Sequence, residues 1–313
     1  MEICGILPVH KPVGPTSHDV VAVVRRTVRP DKVGHTGTLD PLATGVLPLV
    51  IGRATRLASF MSGADKEYVA RIRFGTATDT YDAEGENVSS HATAESMAVV
   101  SGLREAAIVD ALAAFRGRYF QTPPPFSAKK IRGTPAYKLA RQQKPVEVSP
   151  VEVTVPELEL RDYADGLAEI RLVSSSGFYV RSFAHDLGQR LGCGAHLEAL
   201  RRTRAGDFTL ADAVPLDAIV ADGFPVVERR LVPMSRLLPQ LPEVVLNDPG
   251  ARRASHGNTL APADVVSGGS GAGAGPAAWS CGERLRLLDG AGSLIGLAEK
   301  REDGLLHPVV VLV

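Results

Sequence analysis

Apolar and polar residues alternate along several short stretches of the chain, and each such stretch predicts a β-strand. The alternation is clearest over residues 67–74, where one face of the strand carries Tyr68, Ala70 and Ile72. It returns over residues 147–160 and 167–173, with residues 165–166 as the turn between the last two strands.

Apolar residues recur at helical spacing in five other stretches, which predict helices. The first covers residues 19–28, is rich in valine, and follows Thr16 and Ser17, either of which can cap a helix. The other four predicted helices span residues 54–61, 94–115, 182–191 and 196–202. In this prediction Ser182 caps the helix that begins there.

Residues 237–242 contain two prolines and are predicted to link two parts of the chain. Beyond them, short apolar runs separated by turn residues predict a small β-rich domain. Residues 267–278 within it are rich in glycine and alanine and are predicted to form a flexible loop. We therefore expect a large domain over residues 1–240 and a small one over residues 241–313.

Composition limits the classes of protein to consider. The chain has 313 residues and is 44% hydrophobic, enough for the cores of two domains. It carries 35 basic and 35 acidic residues, so net charge gives no sign of a nucleic-acid partner. Its three cysteines are far apart, which argues against a zinc site or a disulfide framework. No signal peptide or membrane-spanning stretch is evident, so we expect a cytoplasmic protein.

Basic residues nevertheless cluster locally, at residues 25–32, 129–144 and 201–204. The middle cluster lacks acidic residues and lies in a proline-flanked stretch, residues 124–150, which we interpret as an insertion that leaves the core. One such cluster alone is typical of a solvated face. Three clusters beside candidate site residues favour contacts with nucleic-acid phosphates.

One carboxylate, Asp40, lies in a loop of glycine, threonine and proline over residues 34–45. Pro41 disfavours helical geometry at Asp40, so the acid is predicted in a turn or extended conformation. The almost uniformly apolar residues 46–51 follow, so the loop is expected to be anchored on a core strand. This placement suits a catalytic acid, although Asp followed by Pro is also common in plain turns.

Other residues also have side chains suited to a site. Arg181 can hold a carboxylate through a bidentate pair, and Tyr179 is predicted on the same side of a strand. Tyr68 can stack on a planar ligand or belong to the core. His35 can be a turn residue, a base or a stacking group, and Lys11 can contact a phosphate or only solvate its turn. No dinucleotide, phosphate-loop, zinc-helix or serine-hydrolase motif occurs, so neither a metal nor a cofactor is expected.

Four motifs, in this order and spacing, resemble those of the TruB family of bacterial tRNA pseudouridine synthases, which act on uridine 55 of the T loop. They are Lys11-Pro12-x-Gly14, the Asp40 loop, Thr78-Asp79-Thr80 with Gly85, and Gly177-x-Tyr179-x-Arg181-Ser182. The resemblance spans about residues 3–210, and four ordered motifs are far more specific than one. The C-terminal part resembles a PUA domain more weakly.

The resemblance implies an α+β fold with a central mixed, mainly antiparallel sheet, flanking helices, a cleft across the middle of the sheet, and a PUA-like domain. It implies tRNA, bound through its T stem-loop, as the partner, with residues 124–150 as a basic flap over that stem-loop. No cofactor, guide RNA or protein partner is expected, and the protein is expected to be a monomer.

The resemblance also implies roles for single residues. Asp40 is the expected catalytic aspartate, and Arg181 is expected to pair with it. The residues expected to bind the substrate are Tyr68 stacking on the flipped uracil, Leu200 lining the base pocket, Tyr179 packing around it, His35 prising the base from the loop, and Lys11.

Reasoning from the residues alone leaves other functions open. Asp40 is then a turn residue in an RNA-binding or tRNA-folding module, or it works with Asp79 or Asp82 as a glycosidase, which needs two acids at about 5–9 Å. Guide-RNA-dependent synthases share the four motifs, and the basic residues 124–150 favour instead an enzyme that grips its own substrate. Whether Asp40 is a nucleophile or takes the 2′ proton also stays open.

Overall fold

The computed structural model describes residues 3–88, 94–127, 130–131, 134–135, 149–268 and 279–313. The predicted flap, residues 124–150, and the predicted glycine- and alanine-rich loop, residues 267–278, lie largely outside these described residues.

Strands dominate the described chain. In chain order they are β1 (Gly5–Lys11), β2 (Val33–His35), β3 (Ala43–Ile51), β4 (Lys66–Phe74), β5 (Gly117–Gln121), β6 (Lys130–Ile131), β7 (Thr134–Pro135), β8 (Val151–Val155), β9 (Glu157–Ala164), β10 (Leu167–Ser174), β11 (Ala195–Ala205), β12 (Phe208–Thr209), β13 (Val214–Pro215), β14 (Val232–Pro233), β15 (Glu243–Leu246), β16 (Val265–Gly268), β17 (Arg284–Leu288), β18 (Leu294–Lys300) and β19 (Leu306–Val311). The α-helices are α1 (Ser17–Val28), α2 (Ala58–Ser62), α3 (Ala94–Gly102), α4 (Glu105–Leu112), α5 (Val180–Arg190), α6 (Leu216–Asp222), α7 (Phe224–Arg230) and α8 (Asp248–Ser255).

Within the described residues, ten strands form one large sheet whose main path runs β13-β1-β3-β11-β4-β10-β9. Most neighbours are antiparallel, and the parallel pairs are β1 with β13 and β3 with β11. The sheet is therefore mixed and mainly antiparallel, as expected. The alternation predicted around Tyr68 is confirmed, because Tyr68, Ala70 and Ile72 are buried along β4 while Arg71 between them is exposed.

Helices cover this sheet and complete its core. Thr16 caps α1 through a capping box with Asp19, which satisfies two backbone N–H groups at the start of the helix. Helix α1 packs against α6, and α5 packs against β11. Val20, Val21 and Val24 of α1 and Phe183 of α5 join the buried apolar cluster beneath the strands. No helix in the described ranges is long and apolar enough to cross a membrane.

The prediction of a helix over residues 196–202 is wrong, because these residues form the middle of β11 in the centre of the sheet. The register of β11 against β4 shifts between Leu197 and Ala199, and again between Arg202 and Arg204. Such β-bulges change the phase of the two-residue alternation. Because of the bulge, the apolar residues Leu197 and Leu200 are three positions apart, as in a helix, although both lie in a strand.

The prediction that Tyr179 and Arg181 lie on one side of a strand is also wrong. Residues 177–179 form a connection after β10, and α5 begins at Val180, so Arg181 lies in the first helical turn. Ser182 does not cap this helix, and its hydroxyl donates to the carbonyl of Thr122 at 2.7 Å. A short segment between two elements carries too few positions for periodicity to distinguish a strand from a helix start.

Residues 243–311 contribute a second sheet, which has five strands in the described residues and the order β16-β15-β17-β18-β19. Helix α8 packs against this sheet, so the part that was predicted to be all β also contains a helix. The stretch 237–242 is not an exposed tether, because Leu237 and Leu238 are buried in an apolar cluster. The same cluster contains Ile6 of the first sheet and Leu297 of the second.

Candidate active site

A cleft of about 690 Å³ opens over the large sheet where β4 and β11 meet the loop after β2. Five of the predicted site residues line it, namely Asp40, Tyr68, Tyr179, Arg181 and Leu200. These residues come from a loop, two strands and the start of a helix. The fold therefore brings together groups that are far apart in the sequence.

The loop that carries Asp40 is held from below by Lys11, which is fully buried at the end of β1. The Lys11 Nζ donates to the carbonyl oxygens of Pro12 at 2.9 Å, Pro41 at 3.3 Å and Ala43 at 2.6 Å. Burial lowers the pKa of Lys11 to about 8, while the charge of Asp40 acts in the opposite direction. The structure thus places Lys11 in the support of the loop and not among the residues that line the cleft.

Arg202 of β11 holds the other side of the same loop. Its Nη2 and Nη1 donate to the carbonyls of Gly37 at 3.1 Å and Thr38 at 3.2 Å, and its Nε donates to Val46 at 2.7 Å. Only 1% of Arg202 is exposed. Two buried cations therefore fix the carbonyl oxygens on both sides of Asp40, and this keeps the loop in one conformation.

Gly45 allows β3 and β11 to approach each other beside this loop. Its φ is +116°, and a Cβ at this position would lie 2.2 Å from the carbonyl oxygen of Arg202. Only glycine fits a position with both properties. Close packing of the two strands thus explains why a glycine occupies position 45 of the Asp40 loop.

Arg181 connects Asp40 to the rest of the cleft wall. Its Nε lies 2.9 Å from Asp40 Oδ2, and its Nη1 lies 3.5 Å from Asp82 Oδ2. The remaining guanidinium contacts are with the carbonyls of Thr80 at 3.2 Å and Phe126 at 3.0 Å. The side chain of Arg181 is 9% exposed and that of Asp40 is 36% exposed. The pair thus presents a carboxylate to the cleft and shields the cation that orients it.

Acidic groups surround this pair. Asp82 is buried, and its Oδ1 accepts from the Thr80 hydroxyl at 2.6 Å and from the Glu84 N–H at 3.1 Å. The pKa of Glu84 is raised by desolvation first, and then by the negative charges of Asp82 and Asp40. Asp79 accepts from the Glu86 N–H at 2.8 Å and does not line the cleft. Asp79 and Asp82 are the two acids considered as partners of Asp40 in a glycosidase. Of these two, only Asp82 contacts Arg181, the arginine that pairs with Asp40.

The floor of the cleft is formed by neighbouring residues of β4 and β11. Tyr68 pairs with Arg202 across the two strands, and Ala70 pairs with Leu200. Tyr68 is 9% exposed and Leu200 is 8% exposed, so each shows only an edge to the cleft. An aromatic ring beside an aliphatic side chain forms an apolar surface of the kind on which a planar base packs.

Tyr179 is fixed by a residue that the sequence reasoning did not single out. The Gln121 side chain accepts from the Tyr179 N–H at 2.8 Å and donates to the Tyr179 carbonyl at 3.1 Å. Gln121 is 1% exposed. Burial raises the pKa of the Tyr179 hydroxyl. No sequence pattern around Gln121 indicates this contact, which depends on two segments 58 residues apart.

His35 lies behind the cleft wall, where it ends β2. Its ring contacts that of His18 edge-on at 5.7 Å between centroids, and His18 rather than His35 lines the cleft. The pKa of His35 is lowered by burial and then by the charges of His18 and Arg202. Within the described chain, no three His, Cys, Asp or Glu side chains are grouped as they would be to hold a metal ion.

This fold is shared with chains in two solved complexes. The structure of an H/ACA RNP bound to a substrate RNA containing 2′-deoxyuridine matches with a TM-score of 0.70 and 24% identity, over 99% of this chain and 85% of that one. The structure of a Cbf5-Nop10-Gar1 complex matches with a TM-score of 0.69 and 25% identity, over 99% of this chain and 84% of that one. The likeness in fold therefore extends over nearly the whole chain.

Sequence comparison identifies the family. The TruB family pseudouridylate synthase N-terminal domain matches residues 25–180, and the tRNA pseudouridylate synthase B C-terminal domain matches residues 181–238. The tRNA pseudouridine synthase B of Solibacter usitatus is 41% identical over 312 residues, covering 98% of this chain and 99% of that protein. That of Opitutus terrae is 47% identical over 240 residues, covering 77% and 97%. The chain belongs to the TruB family of pseudouridylate synthases and is an isomerase.

Proposed function

We propose that this protein converts uridine 55 in the T loop of tRNA to pseudouridine, with Asp40 as the catalytic group. The observation that carries this proposal is the Asp40–Arg181 pair, which sits in a cleft beside the apolar surface of Tyr68 and Leu200. The relatives named tRNA pseudouridine synthase B support tRNA as the substrate.

The reaction explains why one carboxylate in such a cleft is sufficient. The N1–C1′ bond of uridine breaks, a C5–C1′ bond forms, C5 loses its proton and N1 gains one, so no oxidant or reductant is consumed. The uracil must stay bound while it turns, and water must not capture the sugar. A site that is partly apolar and enclosed by the protein meets both needs.

In this proposal Asp40 acts on the sugar of the flipped nucleotide. It either attacks C1′ as a nucleophile, as carboxylates of retaining glycosidases do, or removes the 2′ proton. Arg181 orients Asp40 in both cases through the 2.9 Å contact to its Oδ2. Tyr68, Tyr179 and Leu200 hold the freed base against the floor of the cleft.

Base flipping is energetically accessible in this arrangement. Extrusion of a base costs a few kcal/mol, and stacking on an aromatic ring returns about 1–3 kcal/mol per base. A T loop is already single-stranded, which lowers the cost further. His18 lines the cleft next to the Asp40 loop, with His35 packed behind it, and we propose that the base separates from its neighbours there.

The proposal includes a stand-alone, monomeric enzyme in the cytoplasm that needs no cofactor, guide RNA or protein partner. It also includes a domain division near residue 240 and a PUA-like, RNA-contacting role for the C-terminal part. The solved structures of similar fold are complexes that include other components, so this independence is a separate point to test.

The decisive experiment combines the purified protein with an unmodified tRNA transcript and EDTA, without cofactor or guide. Pseudouridine is then mapped by carbodiimide treatment and primer extension. One new stop at position 55, absent with Asp40→Asn, is the expected result. Size-exclusion chromatography of the same sample tests the monomer.

Three other results would contradict the proposal. Tight tRNA binding without product, unchanged in Asp40→Asn, would make the protein an RNA-binding module. Product that appears only with added guide RNA and proteins would remove the stand-alone character. Release of free uracil would indicate a glycosidase.

A further inference from the structure

The cleft has a second charged end, formed by Lys66 of β4 and Arg202 of β11. Strand alternation places Lys66 on the same face as Tyr68, and Arg202 on the same face as Leu200. Lys66 is 8% exposed and Arg202 is 1% exposed, and both line the cleft. Two desolvated cations thus lie beside the residues proposed to hold the base.

Within the described part of the chain, the hydrogen bonds of these cations leave some of their N–H groups unused. Lys66 Nζ donates to the carbonyls of Ser62 at 2.5 Å and Ala64 at 2.6 Å, which accounts for two of its three N–H groups. Arg202 has five N–H groups and makes three hydrogen bonds, all to carbonyls. Among the described residues, neither cation forms an ion pair with a carboxylate, so no carboxylate neutralises either of them.

Gly37 shows how close the two cations are to each other and to the cleft. A Cβ on Gly37 would lie 3.6 Å from Arg202 Nη1 and 3.8 Å from Lys66 Cε. Gly37 itself lines the cleft, so this space borders it. This space therefore borders both side chains, and the absence of a side chain at Gly37 leaves it open.

The electrostatics of this end favour an anion. Desolvation first, and then the charge of Arg202, lowers the pKa of Lys66 to about 8, while nearby Asp65 opposes the change. A cation whose charged form is disfavoured in the free protein gains most from a bound negative charge. Arg181 differs, because Asp40 and Asp82 already neutralise it.

We propose that Lys66 and Arg202, with the open space at Gly37, form a subsite for one phosphate of the RNA strand next to the nucleotide that enters the cleft. The inference rests on the proposed function in taking RNA as the ligand. Arg202 also holds the loop of Asp40, so a phosphate bound here contacts a side chain that supports the catalytic acid. Substrate binding and orientation of the acid are thereby coupled.

The test measures tRNA affinity as a function of salt, from about 50 to 400 mM, for wild type and Lys66→Met. Each lost phosphate contact lowers the magnitude of the slope of log K against log salt by roughly 0.7–0.9. We expect this decrease in Lys66→Met, together with affinity about fivefold weaker at low salt. Arg71→Met is the matched control, because Arg71 is exposed on the other face of β4 and does not line the cleft. Its slope should stay at the wild-type value.

Gly37→Ala is a second, charge-neutral variant that tests the same space. Its methyl group would lie at ordinary contact distances and at an unstrained φ, so the fold should tolerate it. If a phosphate binds there, Gly37→Ala lowers the slope as Lys66→Met does, although no charge has been removed. This variant keeps the test valid if Lys66→Met does not fold.

A wild-type slope in both variants would overturn the subsite and leave Lys66 as a structural residue of the turn that precedes β4. This outcome is distinct from failure of the proposed function, which is judged by pseudouridine formation in the wild type. If wild type binds tRNA without making product, the salt slopes still decide the subsite.

Discussion

Arg181 and Arg202 are both buried arginines in the wall of one cleft, yet their partners differ in kind. Arg181 lies against the carboxylates of Asp40 and Asp82. Among the residues that the structure describes, Arg202 donates only to carbonyl oxygens. Carboxylates neutralise a cation, whereas carbonyls solvate it and leave its charge in place. In our proposals, arginine therefore orients the catalytic acid at the acidic end of the cleft, whereas at the cationic end it supports the Asp40 loop and attracts a phosphate.

The largest expected effect is that of Asp40→Asn, which removes the carboxylate of the acidic end without changing its shape. Turnover should fall by at least about 10³-fold, as is usual when a catalytic side chain is replaced. tRNA affinity should change by less than about threefold, because the cationic end is untouched. Single-turnover assays and filter binding measure the two quantities. Asp79→Asn is the matched control and should retain activity, because Asp79 lies outside the cleft.

Gly45→Ala should disturb both the acidic and the cationic end of the cleft, because Gly45 pairs with Lys11 on one neighbouring strand and with Arg202 on the other. The added methyl group meets the Arg202 carbonyl oxygen at 2.2 Å in a left-handed conformation. We expect the free energy of unfolding in urea to fall by about 3 kcal/mol or more. Gly14→Ala is the control that introduces backbone strain without a steric collision, because Gly14 has a φ of +109° and no atom near its Cβ position. Equal losses in both variants would exclude the collision as the cause.

Arg181→Lys keeps a charge at the acidic end but loses the geometry that joins Asp40, Asp82 and the Phe126 carbonyl. A lysine cannot reproduce these contacts together. Turnover should decrease about 10²-fold, which corresponds to roughly 2.7 kcal/mol in the barrier. The salt slope of tRNA binding should match wild type, because this arginine is already neutralised. A decreased slope would show instead that Arg181 also contacts a phosphate.

The smallest expected effect concerns Asp186 on α5, an acid that does not line the cleft. Burial raises the pKa of Asp186 from 3.8 to about 6. Between pH 3.8 and about 6 the folded protein therefore binds more protons than the unfolded chain. Asp186 thus contributes to the free energy of unfolding at low pH, and this contribution is lost as the pH rises through 6. Asp186→Asn should raise the free energy of unfolding at pH 7.5 by about 1 kcal/mol, less than the full conversion because the carboxyl is partly solvated.

The difference between wild type and Asp186→Asn should shrink towards zero near pH 4, where both side chains are neutral. Urea titrations at the two pH values measure it. Turnover at pH 7.5 should be unchanged, in contrast with Asp40→Asn. A difference that does not depend on pH would assign the effect to packing.

Several elements were predictable because their cause is local. The face of β4 that carries Tyr68 follows from alternation, and the start of α1 follows from Thr16 and Asp19. The two elements that were predicted wrongly have nonlocal causes. Bulges set by the pairing of β11 with β4 gave residues 196–202 a helix-like spacing. Arg181 lies on a helix whose first residues are fixed by contacts with residues 121–126.

The sequence by itself determined the motif set, the acid in its glycine-rich loop and the apolar strand after it, because these are properties of consecutive residues. Only the tertiary structure decided which cation meets which partner. In the folded chain Arg181 lies against Asp40, and Lys11 lies beneath the loop of Asp40. Lys66 and Arg202 lie next to each other beside Gly37. The reason is that the neighbours of a buried charge are set by the order and register of strands, which long-range packing chooses.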